Sequence, residues 1–275
     1  MATAARIDLY NNAYTHYSDR VYRQIRIESY GEDFGQTSWA TTEESHAIPR
    51  MLRLNPENWV LEIGCGSGRY AMYLAESVGC RVLGLDINAA GIQNCKRLAE
   101  TQNLSAQVQF ECCDVSAGLP AEANSFDAVF STDVLCHIPK RAALLGEIHR
   151  VLKPGGRLLF SDALIIGGLI SHEEIAARSS IGYYIFSPPG ENERLIRQAG
   201  FRLLKAEDTT KNACQIAQRW REARESRKKE LSDIEGEANY EGLQRFLACA
   251  QRLTSERRLL RRLYVARKLE TRRRG

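Results

Sequence analysis

No stretch of the 275-residue chain comes near the run of about 18 apolar residues that a membrane span needs. The opening "MATAARIDLYNNAYTHY" also lacks the apolar core of a signal peptide. Both absences point to a cytoplasmic protein. No two of the eight cysteines stand at C-x-x-C spacing, and Cys112 and Cys113 are adjacent. A metal site is therefore not expected, and the thiols read as reduced and mostly buried. Internal repeats are missing as well. Net charge is small at +4, and that figure misleads, because ten Lys/Arg against two Glu lie from Arg252 onward. The remainder is therefore acidic, at about −4. A basic end of this kind can meet nucleic acid or acidic lipid. A solvated strand face followed by a frayed tail, "ETRRRG", accounts for the same composition.

What is present suits a folded enzyme-sized unit. Hydrophobic residues make up 44% and charged residues 26%, enough for one sizeable α/β domain with an elaboration. The most informative stretch is "VLEIGCGSGRYAMYLAESVGCRVLGLDIN", residues 60–88. Val60 to Ile63 form a short apolar run suited to a buried parallel strand. Gly64, Gly66 and Gly68 follow at alternate positions, and a helical periodicity begins at Arg69. Glycine lets the turn close and a ligand approach the backbone. A dinucleotide fingerprint wants a third glycine at the sixth position, where Arg69 stands, and the Gly-Lys-Ser/Thr ending of a phosphate loop is missing too. Glu62, just before the turn, would repel a pyrophosphate and attract an ammonium. Asp86 ends the second strand, where a carboxylate can accept both ribose hydroxyls. Asp114 follows a third strand, "VQFECCD", where it can accept from an adenine amino group. Ribose, adenine and a cationic amino-acid tail together describe S-adenosylmethionine.

The same reading predicts strands over 59–63, 82–86, 107–112, 127–131 and 156–162, with helices near 67–78, 88–102 and 140–152. "KPGG" at 153–156 reads as a turn. Residues 163–189 read as a loop-rich insertion over the strand ends, since Pro188 and Pro189 fit neither helix nor central strand. "NERLIRQAG" is a helix capped by Gly200, "FRLLKAEDT" a sixth strand and "RLLRRLYVARKL" a seventh. Residues 211–256 are helical and charged. Trp220 and Phe246 would hold those helices to the core, forming a lid beside the site and a surface for a homodimer. Residues 1–54 form an N-terminal helical cap ahead of a core at 55–275.

With these motifs in order, the chain resembles the class I SAM-dependent methyltransferases. "SFDAVFSTDVLCHIP" and "LLGEIHRVLKPGGRLLFSD" look like the family's fourth and fifth core strands with the intervening helix. "GEDFGQTSW" resembles the cofactor-capping turn of the phosphoethanolamine, sarcosine–dimethylglycine and sugar O-methyltransferase groups. The resemblance implies a Rossmann-like α/β fold with a seven-stranded, mostly parallel sheet, helices on both faces and a helical lid. It implies S-adenosylmethionine as cofactor and S-adenosylhomocysteine as product. Cofactor contacts would come from Tyr22, Gln36, Ser38, Trp39, Glu62, Gly64, Cys65 and Gly66. Further along they would come from Asp86, Ile87, Asp114, Val115, Ser131 and Asp133. Methyl transfer from a sulfonium is an in-line displacement, so positioning dominates and a base takes the acceptor's proton. His137 and Asp162 are the candidate catalytic pair. Tyr14, His137, Tyr183, Tyr184 and Phe186 are candidates to bind the acceptor, a small molecule methylated on nitrogen or oxygen. Two rival readings are an RNA methyltransferase using the basic C-terminus and a catalytically silent SAM-binding protein. No appended RNA-binding domain and no N-P-P-Y-like motif supports the first.

Overall fold

Strands β1 (Trp59–Ile63), β2 (Arg81–Asp86), β4 (Phe126–Thr132) and β5 (Leu152–Ile166) carry apolar runs expected of a sheet buried on both faces, while β3 (Val108–Cys112) alternates buried and exposed residues at the sheet edge. They belong to a seven-stranded sheet in a computed structural model that describes residues 7–270, with order β3-β2-β1-β4-β5-β7-β6. The first five strands pair in parallel. β7 (Leu259–Lys268) runs antiparallel between β5 and β6 (Phe201–Asp208). The strand order reverses between β1 and β4, and the crevice at that reversal is where open α/β sheets bind ligands.

Helices α1 (Tyr10–Thr15), α2 (Arg20–Tyr30) and α3 (Thr42–Leu52) precede the sheet, and α4 (Arg69–Val78), α5 (Ala89–Thr101) and α6 (Arg141–Val151) alternate with its strands. One face of the sheet buries Ile48, Leu52, Met72, Leu74 and Ile92 from α3, α4 and α5. The other buries Leu144, Leu145 and Ile148 from α6, with Leu195 and Ile196 from α8 (Glu191–Gln198). Helix α7 (His172–Arg178) opens on a reciprocal cap between Ser171 and Glu174.

Three expectations change. The turn at 153–156 lies inside β5, as an excursion: Phe126 pairs with Leu152 and Ala128 with Arg157, and Gly155 takes φ 83°. The segment 163–189 is only partly a loop. Its apolar start, Ala163 to Ile166, continues β5 against Leu259 and Leu260 of β7, and Ser187 returns to bridge Ile165. The helices at 211–256, resolved as α9 (Thr210–Glu225), α10 (Lys228–Glu235) and α11 (Glu237–Ser255), pack on α2 instead of covering the site. Trp220 and Phe246 do anchor them, with ring centroids 6.2 and 6.0 Å from that of Trp39. Beyond Arg252, several basic side chains at the start of β7 and along it meet acids of the same chain. Arg258 pairs with Glu174, Arg257 with Asp208 and Arg262 with Glu193. The tail arginines 272–274 lie outside the described residues.

Candidate functional site

A cavity of about 890 Å³ opens at the carboxyl ends of β1, β2 and β4, within the size range of small-molecule sites. Its floor is the glycine turn. Gly64 and Gly66 sit at φ 78° and 54°, where a Cβ would meet the Val134 side chain at 2.3 Å and the Tyr14 hydroxyl at 2.7 Å. Only glycine fits both the conformation and the space. The turn is tied to the next strand: Gly64 and Cys65 amides donate to the Leu85 carbonyl at 2.7 and 3.0 Å. The Gly66 amide donates to Asp86 Oδ2 at 2.8 Å, and Asn88 donates to Oδ1 at 2.8 Å.

Three acids face this end. Burial raises the Asp86 carboxyl despite those amides. Glu62 is buried, its Oε2 has no hydrogen-bond partner, and burial together with the nearby Asp86 pushes its carboxyl well up. An orphaned carboxyl beside a cavity calls for a cation from a ligand. Asp114 accepts from the Ser116 amide at 2.9 Å, and the Ser116 contacts hold it below its ordinary value. Ile87, 71% exposed, and Val115 complete the rim, so Ile87 is positioned for a ligand to cover.

The N-terminal cap closes the other side. Gln36, Thr37 and Ser38 line the cavity, as do Tyr10, Asn11 and Tyr14 of α1. Tyr14 lies over the glycine turn and beside Gly91, at the Gly66 end of the cavity. At the far end stands His137. Its Nδ1 lies 2.9 Å from the Tyr183 carbonyl, so Nδ1 carries the proton and donates. Nε2 then accepts from the Tyr10 hydroxyl at 3.1 Å. Burial lowers the His137 pKa, outweighing the Tyr183 bond, while burial raises that of the Tyr10 phenol. The imidazole is thus uncharged at neutral pH with its Nε2 lone pair toward Tyr10, and Tyr10 remains a hydroxyl.

Several sequence candidates lie elsewhere. Asp162 does not line the cavity: it is fully buried, with Oδ2 taken by Arg141 at 2.7 Å and Asn192 at 2.8 Å. It cannot orient His137, whose two nitrogens are already engaged. Ser131 is buried and spends its hydroxyl on the Ile63 carbonyl, tying β4 to β1. The Tyr22 hydroxyl donates to Glu235 at 3.0 Å, away from the lining. Trp39 is a core anchor, and the Arg178 guanidinium stands 5.2 Å from its ring centroid. Tyr184 supports the site from behind, its ring 4.4 Å from that of His137. Phe186 packs against Cys136 and Leu164.

Asp133 lines the cavity but is committed to the fold. It holds φ 58°, accepts the Trp39 amide at 2.8 Å, and meets Arg261 Nε at 2.9 Å. Arg261 is fully buried and also donates to both oxygens of Glu44, each at 2.8 Å. Tyr10, Thr37, Ile181 and Arg261 were missed from sequence. The crowd of tyrosines ahead of the first strand was a signal for Tyr10; nothing local marks Arg261.

The sheet order, the glycine turn and the acids at the ends of β1 and β2 define a class I S-adenosylmethionine-dependent methyltransferase fold. Residues 61–160 match the family model described as "Methyltransferase domain", and the chain belongs to that class. A sterol 24-C-methyltransferase of Schizosaccharomyces pombe is 30% identical over 224 residues, covering 75% of this chain and 58% of that enzyme. The 27-O-demethylrifamycin SV methyltransferase of Amycolatopsis mediterranei is 29% identical over 203 residues, covering 72% and 74%. The chain spans about half the length of the first curated relatives it matches. A solved phosphoethanolamine N-methyltransferase 2 of Haemonchus contortus, bound to phosphomonomethylethanolamine and S-adenosylhomocysteine, superposes with a TM-score of 0.79. That likeness, at 24% identity over 93% of this chain and 58% of that one, shows the shared fold.

Proposed function

We propose that the chain transfers a methyl group from S-adenosylmethionine to a nitrogen or oxygen of a small molecule. The observation that carries this reading is one continuous cavity running from Glu62, Asp86 and Asp114 to the Tyr10–His137 pair. When bound, S-adenosylmethionine supplies an electrophilic methyl group on a sulfonium. Asp86 would hold the ribose hydroxyls, Asp114 and Val115 the adenine, and Glu62 the ammonium of the methionine tail. The glycine turn leaves the room that a Cβ would fill.

The rest of the chemistry belongs to the acceptor end. The Tyr183 carbonyl fixes the imidazole tautomer, so that Nε2 keeps its lone pair toward Tyr10. Tyr10 receives the acceptor's proton on its hydroxyl oxygen while passing its own proton to His137 Nε2. The resulting imidazolium returns that proton to solvent once product leaves. α1 and Ile181 to Tyr183 cover the cavity and exclude water, which favours a small acceptor over a polynucleotide. The pairing of the arginines from 252 to 267 with acids of the same chain also counts against phosphate-driven RNA binding.

Transfer of isotope from labelled S-adenosylmethionine to a metabolite extract, followed by mass identification, tests the proposal. Label should appear in a small molecule with the intact chain and disappear with Asp86→Ala. Label appearing only in RNA would overturn the small-molecule reading.

A further inference from the structure

The acceptor end of the cavity has a charge character of its own. Among the described residues, no lysine or arginine lines the cavity anywhere. Around His137 the walls are Ile7, Ile138, Pro139, Ile181 and Tyr183, and the ionisable group added there is the carboxylate of Asp8. Asp8 Oδ1 accepts the Asn11 amide at 3.0 Å, leaving Oδ2 without a protein donor among these contacts. Two buried arginines of the surrounding fold are engaged by acids. Arg261 is held by Asp133 and Glu44, and Arg141 by Asp162 and Asn192. Arg178 is buried too, with Nε and Nη1 lacking a hydrogen-bond partner, but it does not line the cavity and stands behind the Tyr184 ring, 4.9 Å from its centroid.

Resting on the methyltransferase reading above, we infer that the acceptor is an apolar molecule whose reacting group is uncharged or cationic, and that phosphorylated and carboxylated acceptors are excluded. An anion entering here would lose its hydration and gain no guanidinium or ammonium partner from the described residues that line the cavity. It would also approach Asp8 and the acids of the cofactor end through a low-dielectric space. An alcohol or amine can instead use the Tyr10 hydroxyl, and an ammonium can use Asp8. The aliphatic walls then contribute binding in proportion to the apolar surface they cover. The phosphobase that fills the Haemonchus contortus enzyme is thus the wrong charge class for this cavity.

Isothermal calorimetry with n-octanol, n-octylamine and n-octyl phosphate isolates the head group, since the three share one alkyl chain. Each is titrated into the intact protein with and without S-adenosylhomocysteine. Octylamine and octanol should bind at least about 100-fold more tightly than octyl phosphate, as an unpaired buried anion requires. Shortening the amine from eight carbons to four should weaken it by about fourfold per methylene. Octyl phosphate binding as tightly as octylamine would overturn the inference, and so would failure of all three to bind. S-adenosylhomocysteine failing to bind would sink the cofactor reading separately, because the ranking of the alkyl ligands is still read without it.

Discussion

Replacing Arg261 with Met should be among the most damaging single changes in this chain, although the residue need touch no ligand. Its guanidinium joins three parts of the fold: β7, which carries it, Glu44 of α3 in the N-terminal cap, and Asp133 at the end of β4. Burial alone would depress its pKa, yet the Asp133 and Glu44 carboxylates outweigh burial and hold it above the ordinary value. Removing it leaves two buried carboxylates without their cation and takes one donor each from the hydroxyls of Ser161 and Thr209. Breaking a buried pair on one side costs about 3–5 kcal/mol. At roughly 2–4 °C per kcal/mol for a chain of this size, Tm should fall by on the order of 10 °C. Urea unfolding followed by circular dichroism measures the loss directly. Arg262→Met is the control on the adjacent residue: its own side chain is 31% exposed and water can take its place, so the cost should stay within about 1 kcal/mol. Adding Glu44→Gln to Arg261→Met should restore part of the loss, because one stranded charge is gone. A loss under about 1 kcal/mol for Arg261→Met would refute the reasoning and leave apolar packing as what joins cap to sheet.

Asp86→Ala should weaken S-adenosylhomocysteine binding by at least about 100-fold with the fold intact, from two charged hydrogen bonds at about 1.5–3 kcal/mol each; unchanged calorimetric affinity would remove the ribose assignment. Glu62 has its carboxyl pushed up by burial and by Asp86, so a cationic ligand tail should expel its proton. Cofactor affinity should therefore rise with pH, with a binding enthalpy that varies with buffer, and Glu62→Gln should lose both effects. His137→Asn should lower kcat by about 10²–10⁴-fold while cofactor affinity survives. Since burial lowers the His137 pKa, the wild-type rate should hold down through pH 6.5 and fall only below it; an acid limb above pH 6.5 would contradict this. Glu174 is held down at about 2, chiefly by its hydrogen bonds with Arg258. Its stabilisation is complete above the ordinary 4.5 and lost as pH falls toward 2, so the Tm difference between wild type and Glu174→Gln should close over that interval.

The cofactor half of the site was legible in the residues because its chemistry is local in sequence. Strand, glycine turn and terminal acid lie within a few residues of one another, and a parallel sheet sets Glu62, Asp86 and Asp114 on neighbouring strand ends. Side-chain periodicity and turn chemistry are short-range constraints, so the sequence by itself marked the strands, while the antiparallel run of the seventh was legible only through the resemblance to the family.

Tertiary structure alone decided what each polar residue past the sheet was for. Asp162 ends its expected strand as a catalytic acid would, but β5 runs on to Ile166 and buries it against Arg141 and Asn192. Arg261 belongs to a basic run that composition reads as a solvated face. The pairing of β7 between β5 and β6 turns that one side chain inward, to acids 128 and 217 residues away along the chain. Tyr10 and His137 meet across 127 residues. A charge or hydroxyl takes its role from the partner that replaces its water, and partners so distant in sequence leave no periodic trace around either member.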